Sequence, residues 1–441
     1  MESTHVISIT NGEDVALRKN NKTFHFSLPL PPFFSRLREN KIQFPLFSIT
    51  SHFRDKQKQD STKKIIHSIK VGISLVLISL LYLLDPLYEQ VGENAIWAIM
   101  TVVVTFEFSA GATLGKGLNR GMGTILGGGL GCIAAVLAHN LGGVGNSITV
   151  GASVFFFGAI ATYIRLFPSV KRRYDYGVMI FILTFNLVAV SGLRTEDQEV
   201  WKIARERLLT IVMGFIVCIC VSLLVFPLWA SDELHDSIAS RFQHLANSLQ
   251  GCMEEYVKFD SEKENKPGPS FTLCKSLLDS KSKDEMLANF AKWEPWHGKF
   301  GFFYPWENYL KIGEVFRDLA STVLVLGGCL QASTTPNMAL ESCEAIGSRI
   351  VWTLRELGDS MKQMRKCEAE PHISAVRSEL SLLISTSKLA EIENIDALST
   401  ASLVFLLKKV VDKVEELTKE LEQVGDIAGF RAHSNLTSVS S

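Results

Sequence analysis

Nearly all the long apolar runs of this chain lie between about Ile65 and Ala230, and charged residues dominate the remainder. A helix needs about twenty mostly apolar residues to cross a bilayer. Six segments meet or approach that length: Ile65–Leu84, Ala95–Phe108, Met122–Leu141, Ile148–Phe167, Tyr176–Leu193 and Leu208–Trp229. The second and fifth are short or interrupted, which fits helices that line a water-filled cavity rather than lipid. Six spans are favoured over five or seven. A hydrophobic fraction of 47% over 441 residues suits a membrane part diluted by a soluble one. The sequence therefore predicts an all-α chain, six transmembrane helices followed by a helical bundle. The divisions are residues 1–62 as a tail, 63–230 as the membrane domain, 231–430 as the bundle and 431–441 as a second tail.

Charge orients the spans. Arg54, Lys56, Lys58, Lys63, Lys64 and Lys70 crowd the entrance to the first, whereas the next connection carries Asp85, Glu89 and Glu93 without Lys or Arg. The positive-inside bias makes the amino terminus cytosolic, and six crossings return the carboxyl terminus to the same side. No cleavable signal peptide precedes the first apolar run. A net charge of -1 offers no concentrated basic face for nucleic acid. The cysteines show neither CxxC pairing nor zinc spacing and read as small core residues in a reducing compartment.

Charges occur where they are expensive. In Asn94–Gly121, NAIWAIMTVVVTFEFSAGATLGKGLNRG, an apolar run meets Glu107, Lys116 and Arg120. A Lys, Arg or Asp at the centre of a membrane helix costs roughly 2.5–3.5 kcal/mol on insertion scales, so such groups face water, one another or a passing ion. Lys116 and Arg120 share a face if the segment is helical, and two cations there suit an anion. The bland reading is snorkelling to the headgroups. A phosphate-loop reading fails, because Ala110 stands where the first motif glycine belongs and Gly117 replaces the required Ser or Thr. Further on, Gly123, Gly127, Gly131 and Ala135 recur every four residues, the spacing by which membrane helices approach closely.

From Ser231 the pattern becomes amphipathic. Ser231 or Asp232 is placed to cap a helix to about Phe259, with Leu234, Ile238, Phe242, Leu245 and Leu249 on one stripe. ENKPGPS at Glu264–Ser270 reads as a linker. Further helices are predicted over Leu273–Lys292, Glu307–Gln331, Met338–Lys366, Ser374–Leu389 and Asp396–Gln423. Lys292–Asn308, KWEPWHGKFGFFYPWEN, is an aromatic island with two readings, a plug for the bundle core or a contact with the membrane domain. His297 lacks a partner at metal-ligand spacing. No catalytic motif is present, and the chain reads as no enzyme, with no cofactor and no metal.

The stretch at Asn94–Gly121, YDYGVMIFILTFNL at Tyr174–Leu187 and the Trp293, Glu294, Pro295 triplet after LLDSKSKDEMLANFAKW closely resemble the plant aluminium-activated malate transporter family. The likeness runs from about Lys63 to about Phe430. It implies a homodimeric, multi-pass anion channel in membrane lipid, conducting malate and inorganic anions such as chloride and nitrate. Arg120 matches a pore-lining arginine, and Arg207 in ARERLLTI a second. Lys171 and Arg173 match a basic stretch near the fifth span and Arg194 a basic position beyond its far end. Glu294, flanked by Trp293 and Pro295, matches a regulatory glutamate. The membrane is the plasma membrane or the vacuolar one, the former favoured.

Rings of Arg or Lys suit anion pores, and the planar guanidinium meets a carboxylate with two parallel hydrogen bonds. Lys116 is assigned to concentrating anions at the cytosolic mouth. Glu107 is assigned to pairing with a cation, because a bare carboxylate repels an anion. Glu196, Asp197 and Glu199 read either as hard-cation ligands or as a solvated loop, and aluminium sensing is not transferred to them. A proton-coupled organic-anion carrier is the alternative function, and a non-transporting scaffold a third.

Overall fold

Apolar stripes at helical spacing have one outcome among the described residues, which is helix. The computed structural model describes residues 46–83, 96–141, 143–192, 197–258, 271–301, 303–332, 337–367, 369–386 and 395–431. The chain divides into two units, Met1–Asp60 and Ser61–Ser441. The second holds all the hydrophobic clusters found among the described residues. The first half runs α1 (Leu46–Leu83), α2 (Ile96–Thr105), α3 (Ala110–Leu141), α4 (Gly143–Leu166), α5 (Pro168–Arg173), α6 (Asp175–Ser191) and α7 (Asp197–Leu224). The second half runs α8 (Ala230–Lys258), α9 (Thr272–Leu278), α10 (Lys281–Ala291), α11 (Trp306–Ala332), α12 (Asn337–Gln363), α13 (Glu370–Thr386) and α14 (Ile395–Ala428). The all-α class stands, with two isolated bridges, His297 to Phe300 and Arg365 to Arg431, as the extended pairings among the described residues.

Ala110–Leu141, Gly143–Leu166 and Arg205–Leu224 are long and apolar enough to cross a membrane, and Ile96–Thr105 and Asp175–Ser191 are shorter apolar helices. α3 is longer than the sequence pattern suggests. Ser109 starts it, its hydroxyl accepting the Ala112 N–H at 3.2 Å as an N-cap does. Lys116 and Arg120 therefore lie inside a 32-residue helix rather than ahead of one. α5 is a short helix that hydropathy does not mark.

The small-residue stripe is the seam between α3 and α6. A Cβ on Gly123 would stand 2.4 Å from the Gly177 carbonyl oxygen, and one on Gly127 would stand 2.6 Å from that of Phe181. Contact that close needs hydrogen in place of a side chain. α4 closes on the pair through Ala134, Ala138, Val150, Phe185 and Ala189. α1, α2 and α7 form a second cluster around Ile78, Ala98, Val102, Phe106, Cys218 and Val221.

In the second half the predicted stripe of α8 is the core. Leu234, Ile238, Phe242, Leu245 and Leu249 are all fully buried, in one core cluster with apolar residues of α9 to α14. Burying one such side chain contributes roughly 1.5–3 kcal/mol, so this face far outweighs helix propensity in holding the bundle. The expected helix Leu273–Lys292 is two, α9 and α10, with a break at Asp279–Ser280. The ENKPGPS segment lies outside the described residues.

The aromatic loop plugs this core. Phe300, Trp306 and Tyr309 are buried, and the hydroxyls of Tyr304 and Tyr309 are 3.0 Å apart. Burial pushes the Tyr304 phenol up to about 12. His235 Nδ1 stands 2.9 Å from the Tyr309 hydroxyl, and burial pulls its imidazole below the usual value. A depressed histidine has a defined sign. Below about pH 6.5 the unfolded chain takes up a proton that the folded ring refuses, so stability falls with acidification, by at most ~1.4 kcal/mol per pH unit. Thermal unfolding from pH 7.5 to 5.5 is expected to show this slope, and His235→Gln is expected to reduce it.

Candidate functional site

Arg120 and Lys116 share a face of α3 yet meet different fates. Lys116 pairs with Glu107, in the break between α2 and α3. That break is sealed locally, since the Glu107 N–H donates to Thr113 Oγ1 at 3.0 Å. Arg120, 6% exposed, donates from Nη1 to the Tyr176 hydroxyl at 3.0 Å, and its Nε is buried without a hydrogen-bond partner. Neighbouring Asn119 donates to the Arg173 carbonyl at 2.9 Å, which fixes α5 against the same level of α3.

Arg207 sits on α7 with its guanidinium 4.0 Å from the centre of the Trp97 ring, a cation–π contact, and its Nε is also buried without a partner. Among the described residues neither Arg120 nor Arg207 has a carboxylate at ion-pair distance. Arg165, by contrast, is held by Asp175.

The two arginines stand at different depths. The Ala110 N–H donates to the Leu228 carbonyl at 2.9 Å and Gly117 packs on Phe215, so α3 and α7 run antiparallel. At about 1.5 Å per residue, Arg207 lies about 12 Å along α7 from Phe215, while Arg120 lies about 4.5 Å along α3 from Gly117. They are separated by roughly 7.5 Å along the helix axes.

A third cation, missed by sequence reasoning, is buried among the apolar helices at another level, about 22 Å along α7 from Arg207. Lys70, which the sequence groups with the entrance cluster, is 1% exposed on α1, and its Nζ lies 3.5 Å from the Ser222 carbonyl of α7. The available signal is its place inside the apolar run that begins at Ile65, beyond the Lys63–Lys64 pair. Lys171 is exposed on α5. Arg173 lies 5.1 Å from the centre of the Trp293 ring and 5.5 Å from that of Tyr174. Arg194 and Glu196 lie outside the described residues, and Asp197 and Glu199 fall within α7, whose first turns carry no described side chains.

The Trp293–Pro295 triplet joins the apolar helices to the bundle. A Cβ on Gly111 would meet the Phe290 carbonyl oxygen at 2.3 Å and Glu294 Cγ at 2.7 Å, and one on Gly115 would meet the Trp293 ring at 3.0 Å. The glycines that fail as a phosphate loop are the seat of this loop instead. Glu294 is buried and caps α8 from a distance. Its carboxylate accepts the Ala230 N–H at 2.6 Å, the Ser231 N–H at 3.1 Å and the Ser231 hydroxyl at 2.6 Å. Burial pushes this carboxyl up while those donors pull it down, and burial prevails. The cap expected from Ser231 or Asp232 is thus supplied by Glu294, because α8 begins at Ala230, ahead of both residues. Lys63 at 3.1 Å and Lys283 at 2.8 Å flank Glu233. Burial pushes that carboxyl up, and the two ammonium groups outweigh it, leaving it below the usual range.

Residues 56–391 match the family described as aluminium activated malate transporter. The chain is similar to aluminum-activated malate transporter 14 of Arabidopsis thaliana, 43% identical over 321 residues, 71% of this chain and 59% of the relative. It is also similar to transporter 12 of that organism, 42% identical over 337 residues, 74% of this chain and 60% of the relative. With transporter 2 of the same organism the identity is 38% over 387 residues, 85% of this chain and 77% of the relative. Against the first two, the chain spans about three fifths of the relative's length.

Proposed function

The chain belongs to the aluminium-activated malate transporter family and is a membrane protein, and on that premise we propose that it is a gated anion channel conducting malate and inorganic anions such as chloride and nitrate. The observation that carries this reading is that Arg120 and Arg207 lie in apolar helices without a carboxylate at ion-pair distance among the described residues. An unneutralised guanidinium in a low-dielectric surround attracts an anion and repels a cation. Arg is suited to a dicarboxylate, since its fork meets each carboxylate with two parallel hydrogen bonds.

In this reading six helices of each protomer span the membrane, the bundle lies in the cytosol with both termini, and two protomers form a homodimer. Each arginine then appears twice, as two pairs at different depths, which suits an ion that binds weakly at successive positions and leaves. Lys171 and Arg173 gather anions at the cytosolic mouth, Lys116 contributing less because Glu107 neutralises it, with Arg194 on the far side. The plasma membrane is favoured over the vacuolar one. Glu294, with Trp293 and Pro295, couples the bundle to α3. The channel is preferred to a proton-coupled carrier because Glu107, the carboxylate a relay would use, is held by Lys116.

Arg120→Ala is expected to lower malate current at least about tenfold, the value of a charged hydrogen bond to the passing anion, with protein still at the membrane. Lys116→Ala is expected to do less, because Lys116 is already neutralised by Glu107. Patch-clamp recording with malate and nitrate in turn checks both. Unchanged conductance and selectivity in Arg120→Ala would refute the assignment, and flux that follows the pH gradient would favour the carrier.

A further inference from the structure

Proton counting at the junction of α7 and α8 leads beyond anion passage. His297 Nδ1 lies 2.7 Å from the Pro295 carbonyl, which only accepts, so Nδ1 carries a hydrogen. Nε2 lies 2.9 Å from the Ser231 hydroxyl, and that hydroxyl is 2.6 Å from Glu294 Oε2. The serine brings one hydrogen to two hydrogen bonds. The second must come from the ring or from the carboxyl group. A neutral ring beside a carboxylate is therefore one proton short of satisfying its own geometry.

The surroundings place that proton on the ring. Burial pushes the Glu294 carboxyl up, and against it the Ser231 hydroxyl, the Ala230 and Ser231 N–H groups and the charge of His297 all favour the carboxylate as acceptor. Trp229 stacks on His297 with ring centroids 3.7 Å apart and planes 11° apart, and an indole face favours a cation. Of the other charges near the site, Asp232 of α8 interacts electrostatically with His297, and Asp236 and Lys299 in turn act on Asp232 in opposite senses. Several more are already engaged: Glu233 with Lys63 and Lys283, Arg172 of α5 with Glu285 of α10, Glu307 of α11 with Lys292, and Lys116 with Glu107. His235 abuts Phe300 on the far side of the loop, and Arg173 lies against Trp293. α3 contributes the uncharged Gly111.

We propose that Glu294, Ser231 and His297 form one proton-binding site, an imidazolium and a carboxylate bridged by the serine hydroxyl, that makes the junction between the apolar helices and the bundle sensitive to pH. The proton exchanges with solvent. Its loss breaks one of the two bonds on Ser231 and removes the cation from Trp229. Trp229 and Ala230 are consecutive residues where α7 hands over to α8, and Glu294 touches Gly111 of the helix that bears Arg120. Deprotonation thus loosens the seat of the loop on α3.

The full-length protein with nitrogen-15-labelled histidine, in detergent or nanodiscs, tests this by the ring-nitrogen spectrum of His297, assigned by its absence in H297Q. In the wild type both ring nitrogens are expected to be protonated at pH 7. In E294Q the amide donates to Ser231, the serine donates to the ring, and a neutral ring with hydrogen on Nδ1 suffices. The second proton should then leave about one pH unit lower or more, a ~tenfold loss of proton affinity. S231A removes the bridge while leaving the Ala230 N–H bond to Glu294, and the same downward shift is expected there, which guards against misfolding of E294Q. A neutral ring in the wild type at pH 7, or the same titration in all three proteins, would overturn the proposal. No anion current enters the measurement, so its outcome is independent of the channel reading.

Discussion

Asp284→Ala is expected to destabilise the bundle by about 3–5 kcal/mol, the cost of leaving a buried charge without its partner. Asp284 is 2% exposed on α10 and accepts two hydrogen bonds from Arg241 of α8, one of them 2.7 Å long. Ser280 donates to it at 3.3 Å, and Arg317 of α11 lies 3.5 Å away. Removing the carboxylate strands the Arg241 guanidinium in an apolar surround, whereas Arg317 retains some access to water. Thermal unfolding of the full chain in detergent, followed by tryptophan fluorescence, measures the loss. Asp284→Leu combined with Arg241→Met should recover most of it, because replacing both members of a buried pair by apolar groups is often neutral. A single Asp284→Ala variant as stable as the parent would show that the pair adds nothing to the bundle.

The second large effect is expected at Gly127. Valine there places a Cβ 2.6 Å from the Phe181 carbonyl oxygen and 3.0 Å from the Phe185 nitrogen, both backbone atoms that cannot rotate away. α3 and α6 must then separate, and the close contacts at Gly123 and Gly131 go with them. A cost of about 3 kcal/mol or more is expected, at the upper end of what overpacking does. Loss of a monodisperse peak on size-exclusion chromatography, with a lowered melting temperature, is the readout. Gly129→Val, on the same helix with no atom within 4 Å of its would-be Cβ, should behave as the parent.

These two effects differ in how far the sequence announces them. The four-residue spacing of Gly123, Gly127, Gly131 and Ala135 states that a helix will approach closely, because the period of a helix turns spacing into a face. It does not say which helix. The stripe of Leu234, Ile238, Phe242, Leu245 and Leu249 likewise marks a buried face before any partner is known. The Asp284 and Arg241 pair lies hidden. Each is an ordinary charge in an amphipathic pattern, and the 43 positions that separate them carry no signal that they meet.

Other features resist for the same reason. The break at Asp279–Ser280 carries no proline or glycine, so the sequence predicts one helix where two form. Lys70 sits at the edge of a basic run and reads with it, although its register on α1 buries it against Ser222. Lys116 and Arg120 are legible as expensive charges on one face. That Glu107 neutralises the first, and that Tyr176 holds the second, depends on how α2 and α6 pack on α3.

The sequence by itself determined the all-α class, the apolar first half, the buried faces and the family, because hydropathy, helical period and ordered motifs are local properties of the chain. The tertiary structure decided which cations keep a carboxylate at hand, that Glu294 caps α8 from 64 residues beyond Ala230, and that Gly111 and Gly115 seat the Trp293 loop. Those outcomes turn on distances of a few ångströms between segments far apart in sequence. Hydrogen bonding and electrostatic attraction fall off too steeply with distance for spacing along the chain to reveal them.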